Sequence, residues 1–230
     1  MRVSGPDAED YLQRMVSNDV AAVVEGESCE ALLLTPKARL IAPLRILRRG
    51  PGDFLLLTEP ELGERVRGEL TRMRFAAKCE IEPEAHTSTL VWSDDFARAE
   101  ELLDVDLEPT VTADELERLR IEAGVPAWGK ELDDSILPAE AGLDETHVSF
   151  TKGCYPGQEP IARLHYRGHV NRRLRVLDVE SAARGDEIRL GEKAVGRVTS
   201  AVPGRALGYV RSQVSEDAEL EIAGKPARLH

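Results

Sequence analysis

The sequence predicts an α+β fold over residues 1–160, followed by a small all-β module over residues 161–230. Three observations carry that expectation. Helix-spaced apolar stripes are interleaved with strand-like runs in the first part. Beyond "TKGCYPGQEPIARLHYRGH" (151–169) the helical period disappears, and short strands with glycine turns take over. The composition, 42% hydrophobic and 31% charged, is that of a globular chain and is too apolar for disorder.

The elements follow in order. "SGPDAEDYLQRMVSND" predicts a helix, with Ser4 or Asp7 as cap, Pro6 in the first turn, and Tyr11, Leu12, Met15 and Val16 on one face. "CEALLLTPKARLIAPLRILRRGPGDFLLLT" predicts three strands joined by turns at "TPKA" and "RRGPGD". Pro43 cannot donate to a ladder, so it marks an edge or a bulge. "EPELGERVRGELTRMRF" predicts a helix with the stripe Leu62, Val66, Leu70 and Met73. "AKCEIEP" and "HTSTLVW" read as strands and "DDFARAEELLD" as a short helix. "TADELERLRIEAG" reads as a helix closed by Gly124, with Pro126 beyond it. Residues 125–149 are loop-rich. "RRLRVLDVE", "DEIRLGEKAVGRVTSAV", "RALGYVR" and "AELEIAGKPARL" supply the strands of the C-terminal module.

Charge and cysteine usage exclude some functions. Thirty basic against 42 acidic residues give a net charge of −12, which argues against bulk affinity for nucleic acid or anionic membranes. With four Phe, four Tyr and two Trp, a stacking platform for single strands is poorly supplied. No apolar run reaches the roughly 18 residues of a membrane span. The three cysteines are odd in number, lack a CxxC spacing and follow no secretory signal, so free thiols in a reducing cytoplasm are expected.

Cys154 is the sharply framed thiol. Gly153 and Gly157 permit positive φ, Pro156 stiffens the turn, and Lys152 two residues away would favour the thiolate. From the residues alone it is a nucleophile, a metal ligand or a bystander in a turn. His165 and His169 are four apart, but no Glu follows the first and Gly168 disfavours a helix, so they read as surface histidines. Cys29 and Cys79 lie in apolar strand patterns and read as core thiols. From Lys152 to Arg175 six cations face a single anion, Glu159, which suits either a solvated strand face or a landing site for an anion. Glu122 ends a helix, where the dipole disfavours a carboxylate. With Trp128 in the loop beyond, that carboxylate suits a flat heterocycle bearing adjacent N–H donors, such as a pterin.

"KGCYPGQE" followed by Arg163 resembles the signature K-G-C-[aromatic]-x-G-Q-E-x-x-x-R of the YgfZ family of folate-binding proteins, relatives of the glycine cleavage T-protein. "VSGPDAEDYLQRMVSNDV", "LLLTPKARLIAPLRI", "RIEAGVPAWGKELDDSILPAEAGLD" and "AVGRVTSAV…ALGYVR" extend the resemblance over nearly the whole chain. It implies a ferredoxin-like folate-binding region with a C-terminal small β-barrel. It implies tetrahydrofolate or a derivative as ligand and no permanently bound metal. It also implies assistance to iron–sulfur cluster assembly or repair, with iron–sulfur enzymes or assembly proteins as partners and indirect effects on tRNA modification. The carried-over candidates are Glu122 on the pterin, Trp128, Tyr155, Gln158 and Arg163 around the folate, and Cys154 with Lys152 as the working groups. Two positions depart from the pattern. The T-protein hairpin carries an essential acid where "LIAPLRI" has Ala42 and Pro43, which disfavours aminomethyltransferase activity. Ala38 stands where the family has a turn glycine, so a glycine-specific φ is not expected there.

Overall fold

In the computed structural model, which describes residues 1–92 and 99–230, the chain opens with a short strand, β1 (Arg2–Ser4), and a helix, α1 (Ala8–Met15). The predicted face of α1 is buried through Tyr11, Leu12 and Met15. Asp7 occupies the cap position without capping; its carboxylate instead accepts from the Lys78 N–H at 2.7 Å.

Three strands follow as expected: β2 (Ser28–Leu34), β3 (Leu40–Gly50) and β4 (Asp53–Leu57). Pro43 lies opposite Leu32 of β2, while pairing with β4 begins only at Arg45. The Pro43 carbonyl accepts from Thr58 Oγ at 2.8 Å, so the missing N–H faces the β4 side, where the ladder has not yet begun. The turn between β2 and β3 corrects one expectation. Ala38 has φ +58°, so the left-handed conformation is kept and an alanine carries it. That geometry costs an L-residue roughly 1–2 kcal/mol, and the Ala38 N–H to Thr35 carbonyl bond of 2.9 Å holds it in place.

A single 3-10 turn at Pro60–Leu62, with Leu62 buried, leads into α2 (Gly63–Met73), which buries Val66 and Leu70. Next, β5 (Glu80–Glu82) pairs with β1 and completes a sheet of order β2-β3-β4-β1-β5. Its core gathers Leu12, Leu33, Leu44, Ile46, Phe54 and Val66, each fully or almost fully buried. Burial of each such side chain contributes about 1.5–3 kcal/mol.

A hairpin of β6 (Ser88–Trp92) and β7 (Ala99–Leu103) comes next. Here the expected helix over 94–104 fails. Ala99–Leu103 pairs with β6, because cross-strand pairing overrides the helical preference of an Ala/Glu/Leu run. The part of that expectation on residues 94–98 lies outside the described residues. Then α3 (Ala113–Glu122) starts at a full capping box between Thr112 and Glu115 and ends before Gly124 at φ +70°.

After a loop with one 3-10 turn at Pro138–Glu140, the chain forms α4 (Gln158–Arg167). In the sequence, Gly168 counts against a helix carrying His165 and His169. In fact Gly168 is where the helix stops, its N–H bonded to the Leu164 carbonyl at 3.0 Å. A Cβ there would lie 3.1 Å from Leu164 Cα, a tight contact that glycine avoids.

The remaining strands are β8 (Arg172–Val179), β9 (Glu187–Leu190), β10 (Lys193–Val202), β11 (Gly204–Arg211), β12 (Leu220–Ile222) and β13 (Lys225–Leu229). They close a barrel in the order β10-β11-β8-β13-β12-β9, as the all-β reading required. Inward positions such as Leu177, Ile188, Val198 and Leu207 are fully or almost fully buried.

The chain forms two compact units. Unit 1 holds residues 1–83, 126–174 and 209–215, and unit 2 holds 84–125, 175–208 and 216–230. Among the described residues, no helix is long and apolar enough to cross a membrane.

Candidate functional site

The segment around Cys154 is pinned on both sides of the thiol. On one side Lys152 is buried, and its ammonium donates to the Val16 carbonyl at 2.8 Å and the Asn18 carbonyl at 2.7 Å. These carbonyls belong to the Ser-Asn-Asp turn after α1, itself heavily bonded. Ser17 Oγ donates to the His147 carbonyl at 2.6 Å and accepts from the Leu32 N–H at 2.8 Å. Asn18 Nδ2 reaches the Glu30 carbonyl at 2.7 Å and the Thr146 carbonyl at 3.2 Å. This turn therefore ties β2, the 146–149 loop and the signature segment together.

On the other side, Gly157 adopts φ +85° and presses on the β2–β3 turn. A Cβ there would lie 2.7 Å from the Thr35 carbonyl oxygen and 3.1 Å from Ala38 Cα. Only glycine permits both the conformation and the approach. Gly153 is different: it is not in the left-handed region, and nothing lies within 4 Å of where a Cβ would stand. Between the anchors Tyr155 is buried in the second apolar cluster, whereas Cys154 is exposed. A pinned loop thus holds a thiol out to solvent.

The role expected of Lys152 changes. Its side chain runs into the protein, where burial pulls its ammonium down to about 8, partly offset by Asp19 and Cys29. Burial likewise pushes the Cys29 thiol up to about 11, with Lys152 pulling the other way. The Lys152 charge therefore acts on Cys29, and its geometric task is to hold the turn after α1. Cys29 is only half-buried and packs against the first core, while Cys79 is buried as expected and its thiol is also raised by burial.

The other candidates sit as follows. The Tyr155 ring lies under the Lys152 ammonium, 5.4 Å from its centroid, and burial raises its hydroxyl to about 12. Gln158 opens α4 and its amide reaches the Gly153 carbonyl at 3.5 Å. Trp128 is half-buried and touches both apolar clusters of unit 1. Arg163 is exposed on α4, without an ion pair among the described residues. Glu122 is half-buried at the end of α3, where Arg118 one turn back pairs with it at 3.0 Å and offsets the unfavourable dipole. Glu122 belongs to unit 2; the other candidates belong to unit 1.

The cationic stretch is less free than its sequence suggests. Lys152 is buried, Arg172 pairs with Glu140 at 3.0 Å, and Arg175 pairs with Glu216. Arg163, Arg167 and Arg173 remain exposed. His165 and His169 are exposed as expected, and His165 stacks on Phe150 with ring centroids 3.8 Å apart. What the residues did not reveal was α4 itself, although Ile161 and Leu164 at helical spacing were a signal for it.

The chain has recognisable relatives. Residues 171–230 match the CAF17 C-terminal β-barrel domain. An uncharacterised protein of Haemophilus influenzae is 26% identical over 96% of this chain and 88% of its own length. The tRNA-modifying protein YgfZ of Shigella dysenteriae is 26% identical over 87% of this chain and 77% of its own length. The chain is therefore similar to YgfZ proteins over most of its length. Its fold is also that of the glycine cleavage aminomethyltransferase T from Bartonella henselae. The TM-score is 0.79 at 18% identity, covering 100% of this chain and 81% of that one. At that identity the likeness speaks for fold alone. The pinned segment 151–158 is the stretch whose sequence carries the resemblance, and the turn it presses on is the β2–β3 turn at Ala38.

Proposed function

We propose that this protein binds tetrahydrofolate or a derivative and assists iron–sulfur cluster assembly or repair, with Cys154 as the working thiol. The observation that carries the reading is the exposed Cys154 between two buried anchors, Lys152 and Gly157. A bystander cysteine in a turn needs no such construction. The relatives named for tRNA modification support an effect on that process. The effect is indirect, through iron–sulfur enzymes as clients, in keeping with a net charge of −12.

The residues suit a folate. Glu122 offers a half-exposed carboxylate to the 2-amino and N3–H edge of a pterin, with Arg118 as its competing partner. Trp128 and Tyr155 supply aromatic surface, Gln158 an amide, and Arg163 an unpaired guanidinium for the glutamyl carboxylates. A bound folate would supply a reduced pterin. Aminomethyltransferase chemistry is the second reading, and Ala42 argues against it. It is fully buried in the first core, so this hairpin position has neither the acid nor the exposure to stabilise an iminium-like centre.

Titration calorimetry with tetrahydrofolate tests the proposal. Wild type should bind, Glu122→Ala should lose at least about 1.5 kcal/mol for a charge-assisted bond, and Cys154→Ser should bind normally. No heat with wild type, together with no protection from unfolding, would remove the folate reading.

A further inference from the structure

We propose that a cleft along α4 binds a free apolar α-amino acid as its zwitterion, a site separate from the folate function proposed above. The cleft encloses about 210 Å³, with Ile161 and Leu164 of α4 on its lining together with Leu137. That is smaller than the roughly 300–1,000 Å³ of pockets for drug-sized ligands, so it suits a branched aliphatic side chain better than a fused heterocycle with a tail.

Its charges are the informative part. Asp144 and Arg173 border the same cleft, yet neither has a hydrogen bond or an ion pair among the described residues. On β8 the two nearest arginines are held instead, Arg172 by Glu140 and Arg175 by Glu216. Two opposite charges on one apolar cleft, set beyond salt-bridge reach of each other, select a ligand that carries both charges. An anion alone meets repulsion from Asp144, and a cation alone meets repulsion from Arg173. An amino acid presents its carboxylate to Arg173, its ammonium to Asp144 and its side chain to the Leu/Ile lining. His169, also on the cleft, adds a ring nitrogen for the carboxylate.

The test is calorimetry with L-leucine, isocaproate (the carboxylate without the ammonium), isoamylamine (the ammonium without the carboxylate) and p-aminobenzoylglutamate. Leucine should bind at least about tenfold more tightly than either singly charged analogue, as paired charge-assisted bonds require. Arg173→Ala and Asp144→Asn should each weaken leucine by about the same factor, while Asp144→Asn leaves isocaproate no weaker. Both side chains are on the surface of the cleft, and unchanged melting will verify that the variants fold. Leucine binding no tighter than isocaproate overturns the proposal. So does binding of p-aminobenzoylglutamate without leucine binding, which would make the cleft a seat for the folate tail.

Discussion

Gly157→Ala should destabilise the protein by about 2–4 kcal/mol, from a left-handed alanine and a forced overlap together. The overlap is with backbone, 2.7 Å from the Thr35 carbonyl oxygen and 3.1 Å from Ala38 Cα, so no side chain can swing away. Thr35 cannot retreat freely either, because its carbonyl accepts from Ala38 N–H and its own N–H donates to Arg39. The signature segment must move, and Tyr155 leaves its place in the second core. Gly153→Ala is the internal control. Its φ is not left-handed and nothing lies within 4 Å of the new Cβ, so its effect should stay within about 0.5 kcal/mol. Urea unfolding distinguishes the two by midpoint at constant slope. Equal midpoints for both variants would refute the anchoring role of Gly157.

Lys152→Met should cost about 1–3 kcal/mol, because the Val16 and Asn18 carbonyls lose their donor. The variant also carries a pH signature. Burial holds the Lys152 ammonium near 8 in the folded protein, against 10.5 unfolded. Between those values the unfolded chain binds more protons, so stability rises with pH there. The cost of burying the charge is present in full below about pH 8 and fades as pH rises toward 10.5. Wild type should therefore gain stability relative to Lys152→Met across that window, measured by unfolding at a series of pH values. A difference that stays flat with pH would mean that the ammonium is not buried as described.

Periodicity made much of the fold legible. The faces of α1 and α2, the three strands β2–β4 and the all-β character of the C-terminal module all rest on apolar spacing that tertiary packing leaves intact. The misses have separate causes. Ala99–Leu103 has helix-forming composition but a partner strand beside it. At α4, Gly168 is the stop of the helix, and in sequence a stop of that kind weighs against the element it ends. Ala38 keeps a left-handed φ because the surrounding turn and the Gly157 contact determine it, which its residue type alone does not disclose.

The site was legible in its residues more than in their roles. Cys154 stood out by its frame, and it is exposed. Lys152 stood out as a neighbour of that thiol, but two residues along a turn is enough to send a side chain the other way, toward Val16 and Asn18. The cationic run between Lys152 and Arg175 lost half its members to partners distant in sequence, which no local count can anticipate.

The most direct test of the account is limited alkylation of the native protein, with and without saturating tetrahydrofolate, read by peptide mass spectrometry. The account predicts that Cys154 takes the first equivalent, ahead of the partly buried Cys29 and the buried Cys79, and that tetrahydrofolate slows its modification. Modification of Cys29 first, or a Cys154 rate indifferent to tetrahydrofolate, would contradict it.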